Sequence, residues 1–296
     1  MSDEWYGPEL ADETLPVLRP RGGGRGARSL AIDVAGRSDV GCVREQNEDT
    51  FLIAELGRWL EVLDSSFAGA ERRIAGPRGT LMMVADGMGG HGGGEVASAV
   101  AVDMIAQFAL YAMPWVTQPD EPAEEELLKK LGDAMTECQA QLQRVAVRKR
   151  IDHFQPGTTL TVAYALWPKL YVAHAGDSRL YLHRDGQLAQ ITTDHTVGQV
   201  LRESGAVVGP SRFDHVLVNV VGGGAATVTA EAHALTLAHG DRVLLCSDGL
   251  TGHVSDARIA EELRTSERAE LACERLVEEA KAQGGLDNVT VIVARF

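Results

Sequence analysis

The chain has 296 residues, 45% of them hydrophobic and 24% charged, with a formal net charge of -14. That length and balance predict a soluble globular protein with one large domain. The acidic excess argues against nucleic acid or an anionic membrane as partner. Cys42, Cys138, Cys246 and Cys273 lack the paired spacing of zinc or redox sites, and they are read as reduced thiols, mostly core fillers, of a cytoplasmic protein.

Residues 1–28 are rich in Pro, Gly, Asp and Arg and read as a disordered tail, so the folded domain is placed at 29–296. The first residues are acidic and no apolar run follows them, so no secretory leader is expected. Residues 29–56 predict strand, turn, strand. An apolar strand follows at Leu81, then a helix over about 94–113 that is apolar nearly all round and is expected to be sandwiched. Asp103 and Gln107 interrupt it, and it falls short of a membrane span.

A second helix, about Ala123 to Arg150, carries a one-faced stripe of Leu128, Leu131, Met135, Cys138, Leu142 and Val145. Closely spaced strands at Thr158–Leu166 and Lys169–Ala175, with a hairpin at Asp185, predict antiparallel pairing. Two more helices and a terminal strand at Asn288–Arg295 close the chain. Grouped helices and grouped strands indicate an α+β layered domain.

Three apolar runs end on an aspartate: Leu81 to Asp86, Tyr171 to Asp177 and Arg242 to Asp248. An ionised carboxylate beside apolar walls must be neutralised, and three of them point to a metal. Asp-Gly is also a common hairpin turn, and Asp185-Gly186, flanked by two facing strands, is read that way. Asp86-Gly87 and Asp248-Gly249 have no returning strand at hairpin distance.

Gly87-Met88-Gly89-Gly90-His91-Gly92 matches G-x-G-x-x-G. A dinucleotide site would require an acid at the end of a second strand about 20 residues on, where this chain continues as helix. Asp86 would also oppose a pyrophosphate. Carboxylate and carbonyl oxygens suit Mg²⁺ or Mn²⁺ better, and two such ions can activate a water for displacement at phosphorus.

Arg44-Glu45-Gln46-Asn47-Glu48-Asp49, Ala85-Asp86-Gly87-Met88-Gly89-Gly90, Gly157-Thr158-Thr159-Leu160, Gly176-Asp177-Ser178-Arg179, Thr193-Asp194-His195, Ser247-Asp248-Gly249-Leu250 and Asp287-Asn288-Val289-Thr290 occur in this order. Together they resemble the motifs of the bacterial PPM-type, metal-dependent protein serine/threonine phosphatases. The resemblance implies a four-layer α-β-β-α sandwich of two antiparallel sheets flanked by helices. It also implies a binuclear Mn²⁺ or Mg²⁺ centre with a weaker third ion, and hydrolysis of phosphoserine and phosphothreonine by a metal-activated water.

By motif position, Asp86 would bridge both ions, the Gly87 carbonyl would hold one, and Asp248 and Asp287 the other. Asp177 with Asp248 would form the third site. Glu48 would act through a water, Asp49 would orient or deprotonate the attacking water, and Arg44 would grip the phosphate. His195, Thr158 and Thr159 are expected to have structural roles. The implied partners are phosphoproteins and an opposing Ser/Thr kinase, with the phosphatase a cytoplasmic monomer. A catalytically silent regulatory or phosphoprotein-binding module on the same fold is the alternative.

Met88 stands where many relatives have a histidine proposed to protonate the leaving oxygen, which leaves His91 or a water as candidate acid. Residues between His195 and Gly224 resemble the family's flap but lack the Arg usually seen before Gly222. The end of the chain six residues after Thr290 predicts no appended sensor or anchor, with regulation coming from a partner.

Overall fold

The computed structural model describes residues 32–60, 73–89, 93–111, 121–149, 156–224 and 227–296. The proposed tail and His91 lie outside them. In chain order the elements are β1 (Asp33–Asp39), β2 (Asp49–Leu60), β3 (Arg73–Met88), α1 (Gly93–Tyr111), α2 (Glu121–Lys149), β4 (Gly157–Thr158), β5 (Leu160–Leu166), β6 (Lys169–Ala175), β7 (Arg179–Arg184) and β8 (Gln187–Gln190). There follow α3 (Val197–Glu203), β9 (Val221–Gly222), β10 (Glu231–Thr236), β11 (Arg242–Cys246), α4 (Asp248–Thr251), α5 (Asp256–Thr265), α6 (Ala269–Ala282) and β12 (Val289–Arg295).

The strands form two sheets, one ordered β1-β12-β11-β7-β8 and the other β10-β6-β5-β3-β4-β9, with β2 on the far side of β3. Every pairing between these strands is antiparallel. The central strands are apolar on both faces because both are covered. Met82 and Val84 of β3 point to the layer between the sheets, where they meet Leu180, Val243, Leu245 and Ile292. Leu81, Met83 and Ala85, on the opposite face, pack with Ile105 of α1 and Leu131 and Met135 of α2. The other sheet alternates likewise: Leu244, Val291 and Val293 face Ile259 of α5 and Leu276 of α6. Three apolar layers between four structural layers make the expected α-β-β-α sandwich.

Most predicted elements are present, with displaced bounds. β3 begins at Arg73, well before Leu81, and its pairing with β2 shifts register between Leu56 and Arg58. α1 departs from the expectation of a sandwiched helix. Ala97, Ala101 and Ile105 are fully buried, but Leu110 and Tyr111 are 57% and 82% exposed. Its length and composition would suit a membrane span, yet its buried face is committed to the sheet. The Asp185-Gly186 turn has φ of 51° and 78°, as a two-residue hairpin requires. α3 was not predicted; the Thr196 side chain caps it by accepting from the Gln199 amide.

Candidate metal centre

The antiparallel register brings strand tips from both sheets to one end of the sandwich. Asp49, the first residue of β2, lies directly opposite Asp86 near the end of β3. Asp248 follows the end of β11, and Asp287 precedes β12, the strand paired with β11. Asp177 follows β6. The aspartates expected at the centre are therefore delivered by adjacent strand ends, and they interact electrostatically with one another.

Local hydrogen bonds fix each tip. Thr159 Oγ1 accepts from the Asp86 amide at 2.9 Å, while Thr158 Oγ1 donates to the Asp86 carbonyl at 2.9 Å. Both threonines thus have the supporting role expected of them. Asp49 Oδ2 accepts from Ser247 Oγ at 2.8 Å, and Ser247 Oγ in turn accepts from the Thr290 amide at 3.0 Å. Asn288 ties its own loop to the β1–β2 loop at three points: Oδ1 accepts from the Glu48 amide at 2.8 Å, and Nδ2 donates to Val40 and Gln46 carbonyls at 3.0 and 2.9 Å.

Two glycines are required sterically. A Cβ on Gly87 would lie 2.2 Å from the Gly94 carbonyl oxygen and 2.6 Å from that of Glu48. One on Gly249 would lie 1.9 Å from the Asn288 oxygen. The backbone at the centre is as close-set as it can be.

The electrostatics are those of buried anions whose nearby positive charge, from Arg44 and Arg179, does not offset burial and mutual repulsion. Burial, and then Asp248 and Asp287 against the opposing hydrogen bonds of Thr290 and Ser247, push the Asp49 carboxyl up to about 7. Burial and the charges of Asp49, Asp248, Asp177 and Asp287 raise Asp86 well above the usual carboxylate range. Burial and the Asp248 charge bring Asp177 to about 7, and burial with Asp287 raises Asp248. Asp49 Oδ1 and Asp248 Oδ1 are buried without a hydrogen-bond partner. An all-oxygen donor set with orphaned, mutually repelling carboxylate atoms fits hard divalent cations.

Arg44 is placed at the same end, where its Nη2 donates to Asp287 Oδ2 at 2.7 Å. Its pairing with a candidate ligand was not foreseen. Glu48 uses its backbone here: its carbonyl accepts from Gly87 N and from Ser98 Oγ. Cys42 is exposed, so only Cys138, Cys246 and Cys273 fill the core. Asp39 is a turn residue, accepting from Gly41 N at 2.9 Å and from Lys281 Nζ at 3.0 Å.

Sequence reasoning also missed a second cluster. Ligand-type atoms of His174, His195 and Glu231 lie within 4.8 Å of one another. His174 Nε2 faces the carbonyls of Gly176 and Thr193 at 3.0 and 3.1 Å and must carry the proton, leaving Nδ1 to accept from Thr161 Oγ1 at 2.9 Å. His195 Nδ1 accepts from the Gly176 amide and Asn219 Nδ2, so its proton is on Nε2, 3.3 Å from Glu231. Burial, reinforced by His195, lowers His174 to about 4. Burial opposes ionisation of Glu231, but hydrogen bonds from His195, Thr193 and His233 bring it down to about 2. With each ring nitrogen engaged, these residues act as a hydrogen-bonded brace beneath Gly176-Asp177, the structural role expected for His195.

The family model described as "Protein phosphatase 2C" matches residues 74–289. The serine/threonine protein phosphatase PstP of Mycobacterium tuberculosis is 38% identical over 273 residues, covering 90% of this chain but 45% of PstP. The chain thus spans about half the length of that relative. The crystal structure of M. tuberculosis PstP/Ppp superposes with a TM-score of 0.70 at 34% identity, covering 90% of this chain and 98% of that one. The PstP catalytic domain in complex with two manganese ions gives 0.68 at 34% identity, covering 89% and 97%.

Proposed function

Since the chain belongs to the protein phosphatase 2C family, we propose that it hydrolyses phosphoserine and phosphothreonine on proteins in a divalent-metal-dependent reaction. The observation that carries this reading is the buried aspartate cluster, with its orphaned Asp49 and Asp248 oxygens, beside an arginine. The two manganese ions of the PstP structure support a two-ion centre. Asp86, the Gly87 carbonyl, Asp248 and Asp287 would hold the pair, and Asp177 with Asp248 a weaker third ion.

When bound, the ions would supply Lewis acidity and a lowered water pKa. The protein's own groups then divide the work. Asp49 has Oδ2 occupied by Ser247, so its unpartnered Oδ1 is the atom to orient the attacking water or take its proton. Glu48 would order a neighbouring water. Arg44, with Nη2 held by Asp287, would turn its remaining guanidinium donors to the phosphate. Water oxygen bonds to phosphorus as the ester P–O bond breaks, and the released Ser or Thr oxygen takes a proton. Met88 has none to give, so a water is the proposed source.

We also read residues 29–296 as one catalytic domain of a cytoplasmic monomer that opposes a Ser/Thr kinase. The test is hydrolysis of p-nitrophenyl phosphate and a phosphothreonine peptide with Mn²⁺ or EDTA, using Asp248→Asn as control. Mn²⁺-dependent turnover that the variant loses is expected. No turnover, despite metal-dependent stabilisation, would favour the catalytically silent module.

A further inference from the structure

Val43, in the loop between β1 and β2, and Leu286, in the loop between α6 and β12, are each 62% exposed at the end of the sandwich that carries the candidate centre. Isolated exposed hydrophobics need no explanation, but these two are held as a pair. The Cys42 amide donates to the Gly285 carbonyl at 2.8 Å, and Arg44 bonds Asp287 at 2.7 Å. The two bonds bracket the pair, with Val43 between the bonded residues of one loop and Leu286 between those of the other. Leu286 is pinned further, because its amide donates to His253 Nε2 at 3.2 Å and His253 Nδ1 bonds the Gly249 carbonyl at 3.0 Å.

A structural role for Leu286 would be the apolar contact that often follows a glycine-terminated helix. α6 does end this way, with Gly284 and Gly285 at φ of 128° and 53° and the Gly285 amide on the Ala280 carbonyl. Leu286 nevertheless remains exposed. The chain thus holds two apolar side chains in water immediately next to Arg44.

We propose that Val43 and Leu286 form a specificity subsite for an apolar side chain lying within two residues of the phosphoresidue in a substrate peptide. The inference rests on the phosphatase reading and extends it to a substrate class. Val43 is the immediate neighbour of Arg44, and an extended peptide advances ~3.3–3.6 Å per residue. A phosphate on Arg44 leaves the side chains one or two residues away within reach of the pair.

The test compares kcat/KM, with Mn²⁺, for two phosphothreonine peptides that differ only in carrying Leu or Gln at the two positions on either side of the phosphothreonine. Wild type should prefer the Leu peptide by about tenfold, the worth of burying roughly one aliphatic side chain in part. In the Val43→Ser, Leu286→Ser double variant the ratio should fall towards one. Because each ratio is taken on one enzyme preparation, losses of folded or metal-loaded protein cancel. A wild-type ratio near one, or a preference that survives the double substitution, would overturn the subsite while leaving the phosphatase reading intact. Hydrolysis of neither peptide would overturn both.

Discussion

At the scale of single residues, the buried aspartate cluster opposes folding through mutual repulsion that the proposed cations would relieve. Burial and mutual repulsion penalise the ionised form of Asp86, so Asp86→Asn should raise the melting temperature of the metal-free protein while abolishing its response to Mn²⁺. A lower metal-free melting temperature would mean that Asp86 is better compensated than its surroundings indicate. Gly249→Ala should act oppositely, because a methyl 1.9 Å from the Asn288 oxygen must push the 287–288 loop aside. A loss of about 1–3 kcal/mol together with weaker Mn²⁺ binding by calorimetry is expected; unaltered metal affinity would show that the loop does not set the ligand geometry. Asp86 and Asp248 were legible in the sequence because each ends an apolar run. The partners of Asp49 were not: Ser247 and Thr290 are small polar residues inside recognised motifs, and a bond spanning 198 positions is set by register between sheets.

At the scale of elements, the brace from β6 and β10 to the loop after β8 offers a pH signature separate from the metal site. Glu231 titrates at about 2 in the fold against an ordinary value of 4.5. Its depressed pKa therefore contributes stability above about 4.5 that is lost as pH falls through about 2. Glu231→Gln should destabilise the protein at pH 7 by about 1–2 kcal/mol, after discounting for solvent screening, and the difference from wild type should shrink between pH 4.5 and 3. Urea unfolding of both proteins at pH 7, 4 and 3 measures it, and a pH-independent difference would indicate lost packing instead of lost charge. The candidate metal ligands are common to both proteins, so their titration cancels. This element-level device was invisible in the sequence, where His174, His195 and Glu231 have no motif spacing; only the fold brings them together. Periodicity located α2, whose stripe includes the buried Leu131, Met135, Cys138 and Leu142. It misjudged α1, because an apolar composition does not reveal which side the sheet covers.

For the whole molecule, the centre joins the two sheets, since β2 and β3 belong to one and β11 and β12 to the other. Metal binding should therefore stabilise the whole sandwich cooperatively. The layered class was legible from grouped helices and strands, whereas the strand order, with β12 between β1 and β11, is set by long-range pairing that no local pattern encodes. If the folded state alone binds the ion, a concentration 100 times the dissociation constant adds about 2.7 kcal/mol. At this chain length that is roughly 5 °C or more in melting temperature. Calorimetric scans in EDTA and in graded Mn²⁺ should show one transition moving upward with the logarithm of metal concentration. A melting temperature equal in both would remove the argument that these carboxylates share ions. Two transitions, only one of them metal-sensitive, would mean that the sheets unfold separately and that the ions do not bridge them.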